Sequence, residues 1–127
     1  MKQRTIINQQ AIIRRNKMAI YKTSENAKDE RLATNWYQND YTQCMEAVKK
    51  VCLQYGYDLI HQDDNYGEFI FKRSKDTLDV KIISMTRRET AIDFVINSNL
   101  VLDFGRSKNV IQDLYERLKR ELRFFKR

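Results

Sequence analysis

From residue 41 onward the apolar residues recur first with a helical period, then with a period of two, then with a helical period again, and few folds accommodate that succession. Cys44, Ala47, Val48, Val51 and Tyr55 fall at i, i+3, i+4, i+7 and i+11, one face of an amphipathic helix. Asp40 or Thr42 can cap its start by accepting an orphan backbone N–H, and Gly56 follows where a left-handed C-terminal cap belongs. From Tyr57 the period is two. Tyr57, Leu59 and His61 share one face of a first strand, and Asp63, Asp64, Asn65 and Gly67 supply a turn before Phe69 and Phe71. Ser74 to Asp76 turns into Leu78, Val80 and Ile82, and Thr86 to Glu89 turns into Ile92, Phe94 and Ile96. Ser107 then caps a closing helix whose stripe is Val110, Ile111, Leu114, Leu118, Leu122 and Phe125.

Short links between strands imply an antiparallel meander, and two amphipathic helices can cover one of its faces. The expected fold class is therefore α+β: a two-layer sandwich of order α-β-β-β-β-α, with Leu100 to Leu102 as a short fifth strand or an extended connection. Its uncovered face carries Asp58, Glu68, Lys72, Asp79, Lys81 and Asp93 and reads as wet.

Residues 1–38 fit neither period well. Ile6, Ile13 and Ile20 recur every seven residues among polar neighbours, Ser24 resembles a helix start, and Arg31 to Gln38 reads as an extended piece. The expectation is a basic, partly ordered N-terminal arm over 1–38 and one α+β domain over 39–127. At 127 residues and 42% hydrophobic content, one core is what the chain can fill.

No apolar run is long enough to span a bilayer, and the Ile pairs near the start do not form a secretory core. An organellar presequence is the other reading of that acid-free, Arg-containing start. Cys44 and Cys52, eight residues apart on one helix, lie about 12 Å apart along its axis, too far to pair. Two unpaired thiols suit a reducing compartment, and the cytoplasm is the expected location. Their plainest role is as small apolar side chains in the core.

Charge gathers at the ends. Residues 1–35 and 105–127 each carry eight Lys/Arg against three acids, while the residues between are net acidic. Arg14, Arg15 and Lys17 in the arm and Arg120, Arg123 and Lys126 at the end of the last helix are the candidate partner-contacting residues, with an electrostatic role. Cations in the last turns of a helix also complement its dipole without any ligand.

Catalytic and metal-binding patterns are sparse. His61 is the single histidine and needs a base partner or further ligands from elsewhere, and it reads as a strand residue first. Asp63, Asp64, Asn65 and Glu68 lack calcium-loop spacing and read as a solvated turn. Asp79 and Asp93, taken as cross-strand neighbours, mimic a carboxylate pair but sit beside Lys81 on a solvent face. Phosphate-binding glycine motifs are absent from the three glycines present. Phe69, Phe71, Lys72 and Arg73 have an RNA-stacking flavour, but the order of elements is not that of an RNA-recognition motif. Trp36, Tyr37 and Tyr41 are either an exposed aromatic anchor or a staple of the first helix.

With Gly56-Tyr57 ending a helix, Asp63-Asp64 to Gly67-Glu68 at the first hairpin and Arg106-Ser107 leading into a Leu-rich helix, residues 39–127 resemble small bacterial TATA-binding-protein-like α-β4-α domains. The resemblance is one of turn and core pattern. It implies architecture alone and carries no functional residue; the lipobox cysteine of secreted lipoprotein members is missing here.

The function expected is a non-enzymatic binding or accessory module without cofactor or metal, engaging a protein partner through the open sheet face or the arm. Nucleic acid bound by the same cations is the alternative, and a small enzyme centred on His61 ranks third. An anionic membrane surface and self-association complete the partners considered.

Overall fold

The computed structural model describes residues 19–100 and 103–127. They form, in chain order, β1 (Ala19–Lys22), a short 3-10 turn (Glu30–Leu32), β2 (Asn35–Tyr37), α1 (Tyr41–Tyr55), β3 (Asp58–Asp63), β4 (Glu68–Lys72), β5 (Asp76–Thr86), β6 (Glu89–Ser98), α2 (Arg106–Glu121) and β7 (Phe124–Lys126). The class is α+β, with one antiparallel sheet. The four-stranded α-β-β-β-β-α expectation is corrected: the sheet has seven strands among the described residues, and strands both precede α1 and follow α2.

The helix boundaries follow from local chemistry. Asp40 caps α1 by accepting from the Gln43 N–H, the Gln43 side chain returns a bond to the Asp40 N–H, and Gly56 closes the helix at φ 115°. At α2 the expected cap is corrected, because Ser107 lies inside the helix and is buried. Asp103 takes over, accepting from the Gly105 and Ser107 N–H groups and from the Tyr21 hydroxyl at 3.0 Å.

Burial pushes the Asp103 carboxyl up, but the hydrogen bonds from Ser107, Tyr21 and Gly105 outweigh it and hold the pKa below the ordinary value. A depressed folded-state pKa stabilises the fold fully above the unfolded value, and that contribution disappears as pH falls through the folded one. Asp103→Ala is expected to cost about 1–2 kcal/mol at neutral pH, and less in acid. Urea melts at pH 7 and pH 3 check this; a loss equal at both pH values would contradict it.

The strand order β3-β4-β5-β6 is the expected meander. β6 is ten residues long and divides its second edge between two partners: Thr90–Ile92 pair with β2, and Val95–Ser98 pair with β1. Asp93 sits at the junction, where one carboxylate oxygen accepts the Thr23 hydroxyl at 2.5 Å and the Thr34 hydroxyl at 2.6 Å. It thereby ties the point where the chain leaves the sheet to the point where it returns. Between them the excursion is held on α2 by a Lys108–Asp29 ion pair of 3.2 Å. β7 adds to the outer edge of β2.

Of the arm expected over 1–38, residues 1–18 lie outside the described residues, while Ala19 onward supplies β1 and β2. The short fifth strand expected at Leu100 to Leu102 also falls partly outside them; Leu100 itself is exposed coil.

Both helices pack on one face of the sheet. Phe69, Phe71, Leu78, Val80, Ile82, Ile92, Phe94 and Ile96 meet Cys44, Val48 and Val51 of α1 and Val110, Ile111, Leu114 and Leu118 of α2 in one core. Each large side chain so enclosed contributes about 1.5–3 kcal/mol of apolar transfer energy. The Tyr115 hydroxyl donates to the Ile92 carbonyl at 2.7 Å, which fixes α2 against β6. Phe125, expected on the α2 stripe, instead lies in β7 and is 41% exposed, because the helix stops at Glu121.

Candidate interaction face

Period-two alternation aims every second strand residue away from the helices, and cross-strand partners share a face. The register therefore defines rows across the open side. One row runs His61, Ile70, Asp79, Val95 and Lys22; the next runs Asp63, Glu68, Lys81 and Asp93; a third runs Ile83, Ala91, Trp36 and Lys126.

His61 belongs to this face because of a bulge. The register shifts between Leu59 and His61, so His61 pairs with Ile70, whereas Leu59 pairs with the core residue Phe71. The expectation that His61 shares a face with Leu59 and Tyr57 is thus corrected. Cys44 and Cys52 lie buried on the other side, under α1. The sheet consequently separates the imidazole from both thiols.

Burial pushes the Cys44 thiol up to about 11 and Cys52 higher still. Native protein is expected to react with a disulfide thiol reagent only at its unfolding rate, and both thiols together on adding denaturant. Fast labelling of folded protein would contradict the packing.

The carboxylates do not form a pair. Asp79 stands across from Val95 and Asp93 across from Lys81, so the two acids are diagonal and not opposed. Asp93 is occupied by Thr23 and Thr34, while Lys81 donates to the Tyr66 carbonyl at 2.6 Å and pairs with Glu68 at 3.3 Å. Burial and the neighbouring Glu68 raise the Asp79 pKa. Asp63 folds its own turn, accepting from the Asn65 and Tyr66 N–H groups. Among the described residues no cluster of three His, Cys, Asp or Glu side chains is placed to hold a metal ion.

Apolar side chains interrupt the charges. Ile70 and Val95 stand with Glu68, Asp79, Lys81 and Asp93 around a hollow of about 180 Å³ on this face. Ile83 and Met85 are 39% and 55% exposed, and Trp36 is half-buried beside Ala91.

The candidate cations among the described residues are dispersed. Arg14, Arg15 and Lys17 lie outside the described residues. Arg120 is exposed near the end of α2, on the helix layer. Arg123 is structural: its guanidinium donates to the Gln38 carbonyl at 2.9 Å and its N–H to the Asn39 side chain at 2.7 Å, joining the end of α2 to the start of α1. Lys126 alone of the three reaches the open face, its Nζ 5.4 Å from the Trp36 ring and 5.1 Å from that of Phe125.

Sequence patterning also left the role of Trp36 open. Tyr37 is fully buried and Tyr41 donates to the Asp64 carbonyl, so the three aromatics serve different places. The signal for Trp36 was its position one residue before a core tyrosine, which puts it on the opposite face of any strand through both.

No helix of the described residues is long and apolar enough to cross a membrane. No family model, curated protein or solved structure matches the chain.

Proposed function

We propose that the protein is a non-enzymatic binding or accessory module that engages a protein partner across the open face of its sheet. The observation that carries this reading is a helix-free face on which Ile70, Val95, Ile83 and Trp36 are presented in register by four adjoining strands. Exposed apolar side chains gathered on one face, rimmed by charge, are what a specific protein contact requires. His61 stands there beside Ile70, with both thiols across the sheet, and that separation favours recognition over chemistry. Buried free thiols favour a reducing compartment, and we place the protein in the cytoplasm.

The test is capture from the source cell by the full chain, by a chain lacking residues 1–18 and by the double variant Ile70→Glu/Val95→Glu, at low and raised salt. Truncation stops at 18 because the sheet begins with β1 at Ala19 and takes in β2 at Asn35–Tyr37. The expected result is a defined protein retained at raised salt by the first two and lost by the third. Retention by the face variant would refute the reading.

A nucleic-acid reading draws on Arg87, Arg88, Arg123 and Lys126, which lie toward the β5–β6 hairpin and the outer edge. It requires affinity for DNA or RNA that falls steeply with salt as counterions are released.

A further inference from the structure

Resting on that reading, we infer that the partner is bound at the row Ile83, Ala91, Trp36 and Lys126, and that it presents an extended acidic segment with apolar anchors. The row crosses β5, β6, β2 and β7, four strands spaced about 4.8 Å apart, so it spans roughly 14 Å. That is the length of about four or five extended residues.

Its floor is apolar: Ile83, Ala91 and the Trp36 ring, with Met85 beyond at the hairpin. Lys126 makes its β7 end cationic by lying over Trp36, and on the hairpin side the row is flanked by a hollow of about 490 Å³ that Arg88 and Arg123 line with Gln38, Thr86 and Glu89. Arg87 and Arg88 are both exposed at the hairpin tip, and Glu89 is the acid among these side chains. Charge complementarity therefore calls for a negative ligand, and the aliphatic floor calls for one with side chains to insert.

The neighbouring row argues against a polyanion laid across the sheet. Glu68 and Asp93 flank Lys81 there, so a phosphate backbone straying one row over meets carboxylates. A short peptide confined to the cationic row avoids them.

Trp36 is the single tryptophan, so its fluorescence reports on this row directly. The probe is a synthetic peptide of about seven residues, chiefly Asp and Glu with two Leu anchors, titrated into the full chain. The expected result is a saturable shift of Trp36 emission, with affinity lowered about tenfold or more by Arg88→Gln/Lys126→Gln and by Ile83→Asp. Lys49→Gln, an exposed cation on α1, should leave affinity within about twofold. Circular dichroism establishes that each variant is folded, and Ile83→Ala supplies the apolar test if Ile83→Asp is not.

Binding that leaves Trp36 unmoved, or that ignores the double variant, overturns the inference. So does tighter binding of a short oligothymidylate at the same residues, which would give the row to nucleic acid. If the peptide fails to bind while Ile70→Glu/Val95→Glu still releases a captured protein, the acidic-segment inference falls and the wider reading of the face stands.

Discussion

Asp76→Ala is expected to destabilise the protein by about 3–5 kcal/mol, the cost of leaving one partner of a buried ion pair alone. Asp76 opens β5 and is 3% exposed, and its two carboxylate oxygens accept from Arg73 Nε and Nη2, both at 2.9 Å. The Arg73 N–H also donates to the Asp76 carbonyl at 3.0 Å, so the pair closes the β4–β5 turn through backbone and side chain together. The guanidinium lies 4.6 Å from the Tyr57 ring and 5.7 Å from that of Tyr55, walled in by aromatics.

Without its carboxylate, Arg73 keeps its charge in that half-buried place with its anionic partner gone. The effect should appear as a lower urea midpoint with an unchanged slope, and as a melting temperature lower by roughly 10–20 °C. Replacing both partners, Arg73→Met/Asp76→Ala, should recover much of the loss, since the uncompensated charge goes with the arginine. A single-variant loss below about 1 kcal/mol would show the pair to be solvated.

That ion pair was not legible beforehand, although both residues were. Ser74 to Asp76 reads as turn chemistry, and nothing in the period of the flanking strands reports that the turn folds under the aromatic end of α1. Legibility here follows the range of the interaction. Asp40, Gly56 and the stripe Cys44, Ala47, Val48 and Val51 depend on neighbours within a few turns, and each lies where periodicity places it.

Where a distant segment decides, local patterns fail. Residues 19–37 lack a helical or a clean alternating period because β1 and β2 are short and meet β6 from separate ends, with Asp93 joining them through Thr23 and Thr34. A seventy-residue separation hides that bond from any local window. The same holds for Lys126, which helical periodicity groups with Arg120 and Arg123 at the end of the last helix. The stop at Glu121 instead turns the chain into β7, leaving Arg120 on the helix layer, Arg123 bonded to Gln38, and Lys126 on the open face.

His61 illustrates a third kind of failure. Alternation from Tyr57 would keep it with the core, but one extra residue in β3 reverses every side chain beyond it. Bulges leave no sequence mark here, since Ile60 is an ordinary strand residue. Its exposure of 60% is the consequence.

Gly67→Ala is expected to be nearly as damaging as loss of Asp76, at about 3 kcal/mol or more, for a wholly different reason. Gly67 sits at φ 65°, and a Cβ there would lie 2.3 Å from the Ile82 carbonyl oxygen and 3.1 Å from the Tyr41 ring. The oxygen cannot retreat easily. Its residue donates the Ile82 N–H to the Gly67 carbonyl at 2.8 Å, and Tyr41 is held by its own bond to the Asp64 carbonyl. The β3–β4 turn would therefore have to lift off β5, exposing the turn end of the Phe69 packing. Gly56 is the internal control: its φ of 115° is also left-handed, yet a Cβ there would meet nothing within 4 Å. Gly56→Ala should cost only the backbone strain, about 1–2 kcal/mol. Chemical denaturation of the two variants compares the contributions: φ 65° is the easier left-handed value for a residue with a Cβ, so an excess loss at position 67 comes from the steric clash and not from backbone strain. Equal losses at both positions would mean that the hairpin yields to a methyl group, and that its close seat against Ile82 contributes nothing to stability.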